Sequence, residues 1–110
     1  MPILISVEEI TPAQLIELAE RGVEMQVIDV REHEEVEVSM IEGATHIPFA
    51  ELPSRTKEID DLKKIVVVCR SGKRSARIAE LLVRNGYDAV NLKGGMQAFV
   101  AEVDPTIPVA

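Results

Sequence analysis

The sequence predicts a single α/β domain, with helices layered over a buried parallel sheet. Three observations carry this prediction. Apolar runs alternate with helical patterns along the chain, the arrangement of an α/β layer fold. The apolar residues are mostly aliphatic, with no tryptophan, one tyrosine and two phenylalanines, which suits strands covered on both faces. Ile65-Val66-Val67-Val68 is an unbroken β-branched run, the pattern of a central strand buried on both sides. At 110 residues, the chain reads as one domain spanning 1–110.

The elements follow in order. Ile3 to Val7 reads as a short first strand. Thr11-Pro12-Ala13-Gln14 opens a helix: Thr11 caps, Pro12 fits the first helical position and Gln14 completes a capping box. Leu15, Leu18 and Ala19 then fall on one face, and Gly22 stops the helix. Val27-Ile28 leads a second strand into Asp29-Val30-Arg31. Glu32 to Val38 reads as a short surface helix, Ala44 to Ile47 as a brief strand ended by Pro48, and 49–63 as irregular with one or two helical turns. Lys73 to Asn85 is a helix with Ile78, Leu81 and Leu82 inward and Gly86 as its stop. Ala89 to Leu92 is a last core strand. Gly94-Gly95 turns into a short helix near Met96 to Glu102, and Pro105 and Pro108 mark a loose tail.

Composition excludes several classes. A lone cysteine, Cys69, forms neither an intramolecular disulfide nor a CxxC redox pair. The N-terminus lacks a basic, then apolar, leader, and no run approaches the ~20 apolar residues of a membrane span. A cytoplasmic protein without a membrane partner is expected. The net charge of −7 argues against nucleic acid. The charge is uneven, however. Glu32, Glu34, Glu35 and Glu37 form an acidic cluster, whereas Arg70, Lys73, Arg74 and Arg77 surround the cysteine. A local basic site on an acidic chain points to a small anion.

The chemistry concentrates in Cys69-Arg70-Ser71-Gly72-Lys73-Arg74-Ser75. This loop follows the buried strand and opens a helix, where ligands bind in open α/β sheets. A loop curling around Cys69 aims successive N–H groups inward as an anion nest, and Gly72 can take the required backbone angles. The following helix adds a partial positive charge, and Arg70, Lys73 and Arg74 add full ones. Comparable settings lower a thiol pKa from ~8.5 to between ~3.5 and ~7.5. Cys69 is therefore the candidate nucleophile. A purely packing cysteine has no use for such a field.

Together with Val27-Ile28-Asp29-Val30-Arg31-Glu32, Ile41-Glu42-Gly43-Ala44-Thr45-His46-Ile47-Pro48 and Leu92-Lys93-Gly94-Gly95-Met96, the loop makes nearly the whole chain resemble a single-domain rhodanese, a thiosulfate sulfurtransferase-like protein. The resemblance implies a central parallel sheet of about five strands flanked by helices. It implies a double displacement in which the Cys69 thiolate takes the outer sulfur of thiosulfate or a similar anionic donor and becomes a persulfide. A thiol, cyanide or a protein acceptor then removes that sulfur. The amides of residues 70 to 74 supply most of the electrostatic stabilisation, with no metal or organic cofactor. Two departures stand out. Ser39-Met40-Ile41 replaces a common Gly-His-Ile triplet, and Phe99 is the nearest aromatic where a tryptophan commonly follows the double glycine.

Within the loop, Arg70 and Lys73 are the side chains expected to contact an anionic donor, with Ser71, Gly72 and Arg74 completing the cradle. Ser75 either donates to the cradle or caps the helix. Asp29 and Arg31 end the second strand at the same sheet edge. They either shape the site or, the more frequent case, form an ion pair that fixes the loops. His33 and His46, isolated from further ligands, make a poor metal site. The Cys-x4-Arg spacing to Arg74 gives a tighter cradle than the Cys-x5-Arg loop of phosphate- and arsenate-acting relatives of this fold. It favours sulfur over a phosphoryl group. A sulfur-relay module in cofactor or tRNA thiolation and a noncatalytic interaction domain are the alternative readings. The oligomeric state, the donor and the acceptor are not readable.

Overall fold

The computed structural model describes residues 7–109. The predicted strand at Ile3 to Val7 lies almost wholly outside the described residues; Val7 is not in a strand, and the first one is β1 (Glu9–Ile10). It is followed by α1 (Pro12–Glu20), β2 (Met25–Asp29), α2 (His33–Val38), β3 (Thr45–His46), two 3-10 turns (Phe49–Ser54 and Thr56–Glu58), β4 (Lys64–Val68), α3 (Lys73–Arg84), β5 (Ala89–Leu92) and α4 (Gly95–Val103). The five strands form one all-parallel sheet in the order β1-β5-β4-β2-β3. Parallel strands require crossovers, and helices or turns supply each of them.

The alternation of side chains along β4 divides the core in two. Ile65 and Val67, with Cys69 just beyond the strand, share one side with Ile78, Ala79 and Leu82 of α3. Val66 and Val68 share the other with Leu15 of α1 and Met96, Phe99 and Val100 of α4. Every residue from Ile65 to Val68 is fully buried, as a strand covered on both faces demands. β4 therefore sits at the centre, and its carboxyl end opens where the chain order reverses across the sheet, the place where such folds bind ligands.

The α1 capping box forms as expected: the Gln14 amide donates to Thr11 Oγ1 at 3.1 Å and the Thr11 amide to Gln14 Oε1 at 2.8 Å. Other expectations are corrected. Ala19 is exposed and Leu18 half-buried, so Pro12 and Leu15 anchor α1. Leu81 is 53 % exposed; it lies ~100° around α3 from Leu82, off the stripe of Ser75, Ile78, Ala79 and Leu82. β2 ends at Asp29 rather than Arg31, although the Val30 amide still reaches Val68 O at 2.9 Å. The tail is docked, not loose: Ile107 and Val109 pack on the α4 side of the core, and Ser39 Oγ donates to Pro108 O at 2.5 Å. No described helix is long and apolar enough to cross a membrane.

The two aliphatic positions give opposite outcomes on truncation. Ile65→Ala, which empties a fully buried site, is expected to lower the unfolding free energy by about 2–5 kcal/mol. Leu81→Ala changes it by no more than about 0.5 kcal/mol. Urea denaturation of the two variants checks the burial pattern.

Candidate active site

The chain leaves β4 at Val68, and Cys69 points to the α3 side. Arg70, Ser71 and Gly72 then turn it back into α3. Gly72 holds φ at +89°, and a Cβ there would meet Gly94 N at 3.0 Å and Leu92 O at 3.1 Å; only glycine fits both demands. Gly72 is also the N-cap of α3, so the helix begins without a capping side chain. The sulfur takes over that role. Cys69 Sγ accepts from the Gly72 amide at 3.1 Å, the Ser75 amide at 3.4 Å and the Ser75 hydroxyl at 3.2 Å. The Ser75 amide is the third of the helix, one of the donors that intrahelical bonding leaves without a partner. An acceptor there is favoured by the helix dipole as well.

Cys69 is 4 % exposed. Burial pushes its thiol pKa up, but the Ser75 hydroxyl and the amides of Ser75, Gly72 and Ser71 outweigh it, and the thiol titrates below its ordinary value. Every group on the lowering side is a neutral dipole. Of the amides expected from residues 70 to 74, those of Ser71 and Gly72 act on the sulfur, and Ser75 adds both an amide and a hydroxyl from just beyond that span. Ser75 is thus a cradle donor.

The cations are arranged differently from the expectation. A cleft of about 40 Å³ above Cys69 is lined by Arg31, Glu35, Arg70, Ser71 and Arg74. Lys73 is not among them. It borders a wider, shallow concavity with Phe49, Arg74 and Arg77, because the first turn of α3 carries it away from the sulfur. Arg74 belongs to both hollows.

Asp29 and Arg31 form a buried ion pair, each 1 % exposed. Arg31 Nε lies 3.0 and 3.1 Å from the two carboxylate oxygens, and Arg31 Nη2 donates to Asp29 Oδ2 at 2.8 Å and to Ser39 O at 2.7 Å. The Arg31 amide adds a bond to Asp29 Oδ1 at 3.1 Å. The pair ties the β2 end to the loop after α2, and Arg31 also reaches the cleft wall. The ion pair expected to fix the loops is therefore present. His46 Nε2 lies 2.6 Å from Arg31 O, within the same scaffold.

Three contributors escaped the sequence reading. The Met96 and Gln97 amides, at the start of α4, donate to Cys69 O at 2.9 Å and Arg70 O at 3.0 Å. Gly95 permits this approach: a Cβ there would lie 2.4 Å from Cys69 O. The Gly94-Gly95 pair was the available signal, but it reads only as a turn. Asn91, fully buried on β5, donates to Gly72 O at 2.9 Å. A single amide in an otherwise apolar strand was the signal for it. Glu35 lines the cleft and was one of four glutamates in an acidic run.

Gly95→Ala is expected to push the cradle apart and lose more than the ~1–2 kcal/mol of a left-handed residue. Its thiol should become less acidic than in the parent protein. Gly43→Ala, whose Cβ meets nothing within 4 Å, should pay only the conformational cost. Thermal unfolding and thiol titration of both variants test the packing of α4 on the loop.

With this geometry in place, comparison with known proteins is informative. The family model described as "Rhodanese-like domain" matches residues 11–102. The chain is 40 % identical over 99 residues to YtwF of Bacillus subtilis (strain 168), named provisionally as a sulfurtransferase, covering 90 % of this chain and 96 % of that one. It is 30 % identical over 100 residues to YrkF of the same organism, named provisionally as a sulfur carrier protein, covering 90 % of this chain and 54 % of YrkF. The crystal structure of a rhodanese-like domain protein from Staphylococcus aureus superposes with a TM-score of 0.81 at 32 % identity, covering 94 % of this chain and 99 % of that one. A buried parallel sheet, a cysteine at the end of its central strand and a match spanning nearly every described element agree: the chain belongs to the rhodanese-like domain family.

Proposed function

We propose that this protein is a sulfurtransferase that carries sulfane sulfur as a persulfide on Cys69. Family membership and the sulfurtransferase name of a full-length relative support sulfur transfer in general. The observation that carries the finer reading is the convergence of the Gly72 amide, the Ser75 amide and the Ser75 hydroxyl on one buried sulfur. These donors favour the thiolate, the nucleophilic form.

In the first step, the thiolate attacks the outer sulfur of thiosulfate or a similar donor. A Cys69 Sγ–S bond forms, the donor S–S bond breaks, and sulfite leaves with the electron pair. The outer sulfur of the persulfide then carries the negative charge. In the second step, an acceptor nucleophile, cyanide or a thiolate, bonds to that sulfur, and the electron pair returns to Cys69 Sγ. No net oxidant or proton is consumed. The chemistry is covalent catalysis in two displacements, with preorganised amides at the charged atoms. The cleft of about 40 Å³ over Cys69 has room for roughly one water-sized group, which suits a single added sulfur. Arg70 and Arg74, on the cleft wall, are the side chains proposed to draw in an anionic donor. Arg31 is proposed to hold the wall in place. A reducing compartment such as the cytoplasm keeps a lone thiol free.

The sulfur-relay reading has its own support. The chain resembles YrkF, with its sulfur carrier name, over half of that protein's length. In addition, the hollow formed by Phe49, Lys73, Arg74 and Arg77 adjoins the cleft through Arg74. Loading from a protein persulfide that outpaces loading from thiosulfate would favour relay over turnover.

Intact-mass measurement after exposure to thiosulfate is expected to show one added sulfur, located on Cys69. Cyanide should then remove it as thiocyanate, and Cys69→Ser should take up none. A protein left unmodified by thiosulfate and by protein persulfides alike contradicts the proposal.

A further inference from the structure

Asn91 occupies an unusual place. It is fully buried in β5, flanked in the sheet by Val67 of β4 and Glu9 of β1. Its Nδ2 donates to Glu9 Oε2 at 2.9 Å and to Gly72 O at 2.9 Å, which uses both amide protons. The orientation of the amide is therefore set. A flipped amide would press its oxygen against a carboxylate and a carbonyl. Asn91 Oδ1 must face the Ser75 hydroxyl, 2.5 Å away. The same Ser75 Oγ lies 3.2 Å from Cys69 Sγ.

A hydroxyl has one proton, and here two acceptors face it. While Cys69 is a thiol, the arrangement is consistent throughout: S–H donates to Ser75 Oγ, and Ser75 O–H donates to Asn91. Once Sγ is an anion, the hydroxyl proton must turn to the sulfur. Two oxygens, Ser75 Oγ and Asn91 Oδ1, are then left facing each other without a proton between them. When the negative charge moves out to a second sulfur, Sγ becomes neutral and the proton can return. We propose that Asn91 is a positioning residue whose Oδ1 accepts the Ser75 hydroxyl hydrogen bond whenever Cys69 Sγ is uncharged and gives that hydrogen bond up to the thiolate. The consequence is a limit on thiolate stabilisation. A thiolate held by every available donor is more abundant but intrinsically less nucleophilic, and Asn91 keeps one donor in competition.

The return step rests on the persulfide reading; the ionisation step does not. The test therefore reads ionisation alone. The rate of alkylation by iodoacetamide is measured against pH for the parent, Asn91→Ala, Ser75→Ala and the double variant. The charged groups around the pair are Glu9 from β1, Arg31 and Glu35 on the β2–α2 side with Asp29 and His46 behind Arg31, and Arg70 and Arg74 from the loop and α3. They are unchanged in all of these proteins. Ser75→Ala should lower the thiolate fraction below the midpoint. Asn91→Ala should raise it about threefold to tenfold, the size of one hydrogen bond, with a smaller rate per thiolate. In the Ser75→Ala background, Asn91→Ala should have no effect.

A rise of equal size in both backgrounds, or a fall in the single variant, would overturn the proposal, since Asn91 would then act by loosening Gly72. Should Asn91→Ala not fold, the near-isosteric Asn91→Leu, which removes the same acceptor oxygen, serves in its place. Its effect should likewise vanish with Ser75→Ala, and an effect identical in both backgrounds counts against the proposal. A protein that passes this cycle but takes up no sulfur contradicts the persulfide reading and leaves the role of Asn91 standing.

Discussion

A helix that starts on glycine has no side chain to accept its first free amides, and a thiol buried in a core has no water to stabilise its anion. In this protein the two deficits meet at one atom. Cys69 Sγ accepts the Ser75 amide at the start of α3, and α3 in return holds the sulfur among donors. Burial opposes ionisation, but three amides and a hydroxyl exceed it. The balance rests on fixed dipoles, which salt screens less than it screens exposed charges.

Keeping those dipoles aimed requires a rigid frame, and the fold supplies it from four sides. The central strand places Cys69 at the sheet edge with the correct side toward α3. The α4 amides hold the Cys69 and Arg70 carbonyls, through an approach that only Gly95 allows. Asn91 holds the Gly72 carbonyl from β5. The buried Asp29–Arg31 pair ties the neighbouring strand end to its loops, and Arg31 lines the cleft. Such a pair is costly to break from one side, because the remaining charge is left buried.

Much of this was legible in the chain itself. The capping box at Thr11 and Gln14, the β-branched run of β4 and the cysteine loop are local signals, and local signals survive folding. Leu81 was misplaced because a helical stripe is narrower than a run of apolar letters suggests. Lys73 was expected to contact the anionic donor because of its proximity in sequence, yet it borders the neighbouring hollow and not the cleft over Cys69. Asn91 and Gly95 each left a local signal whose target could not be read, because each acts on the loop from an element distant in sequence. Their roles depend on which strands are neighbours, and a strand order of β1-β5-β4-β2-β3 is not encoded in any single segment.

The central claim is that neutral donors make the buried Cys69 an anion more easily than a free cysteine. It is tested most directly by ultraviolet titration of the thiolate in the folded protein, where Cys69 is the single cysteine. The account predicts a midpoint below that of the unfolded chain. Ionisation then adds stability that is complete above the unfolded thiol pKa and is lost as the pH falls through the folded one. A midpoint at or above that of the unfolded chain would mean that burial prevails over the donors, and would contradict the account.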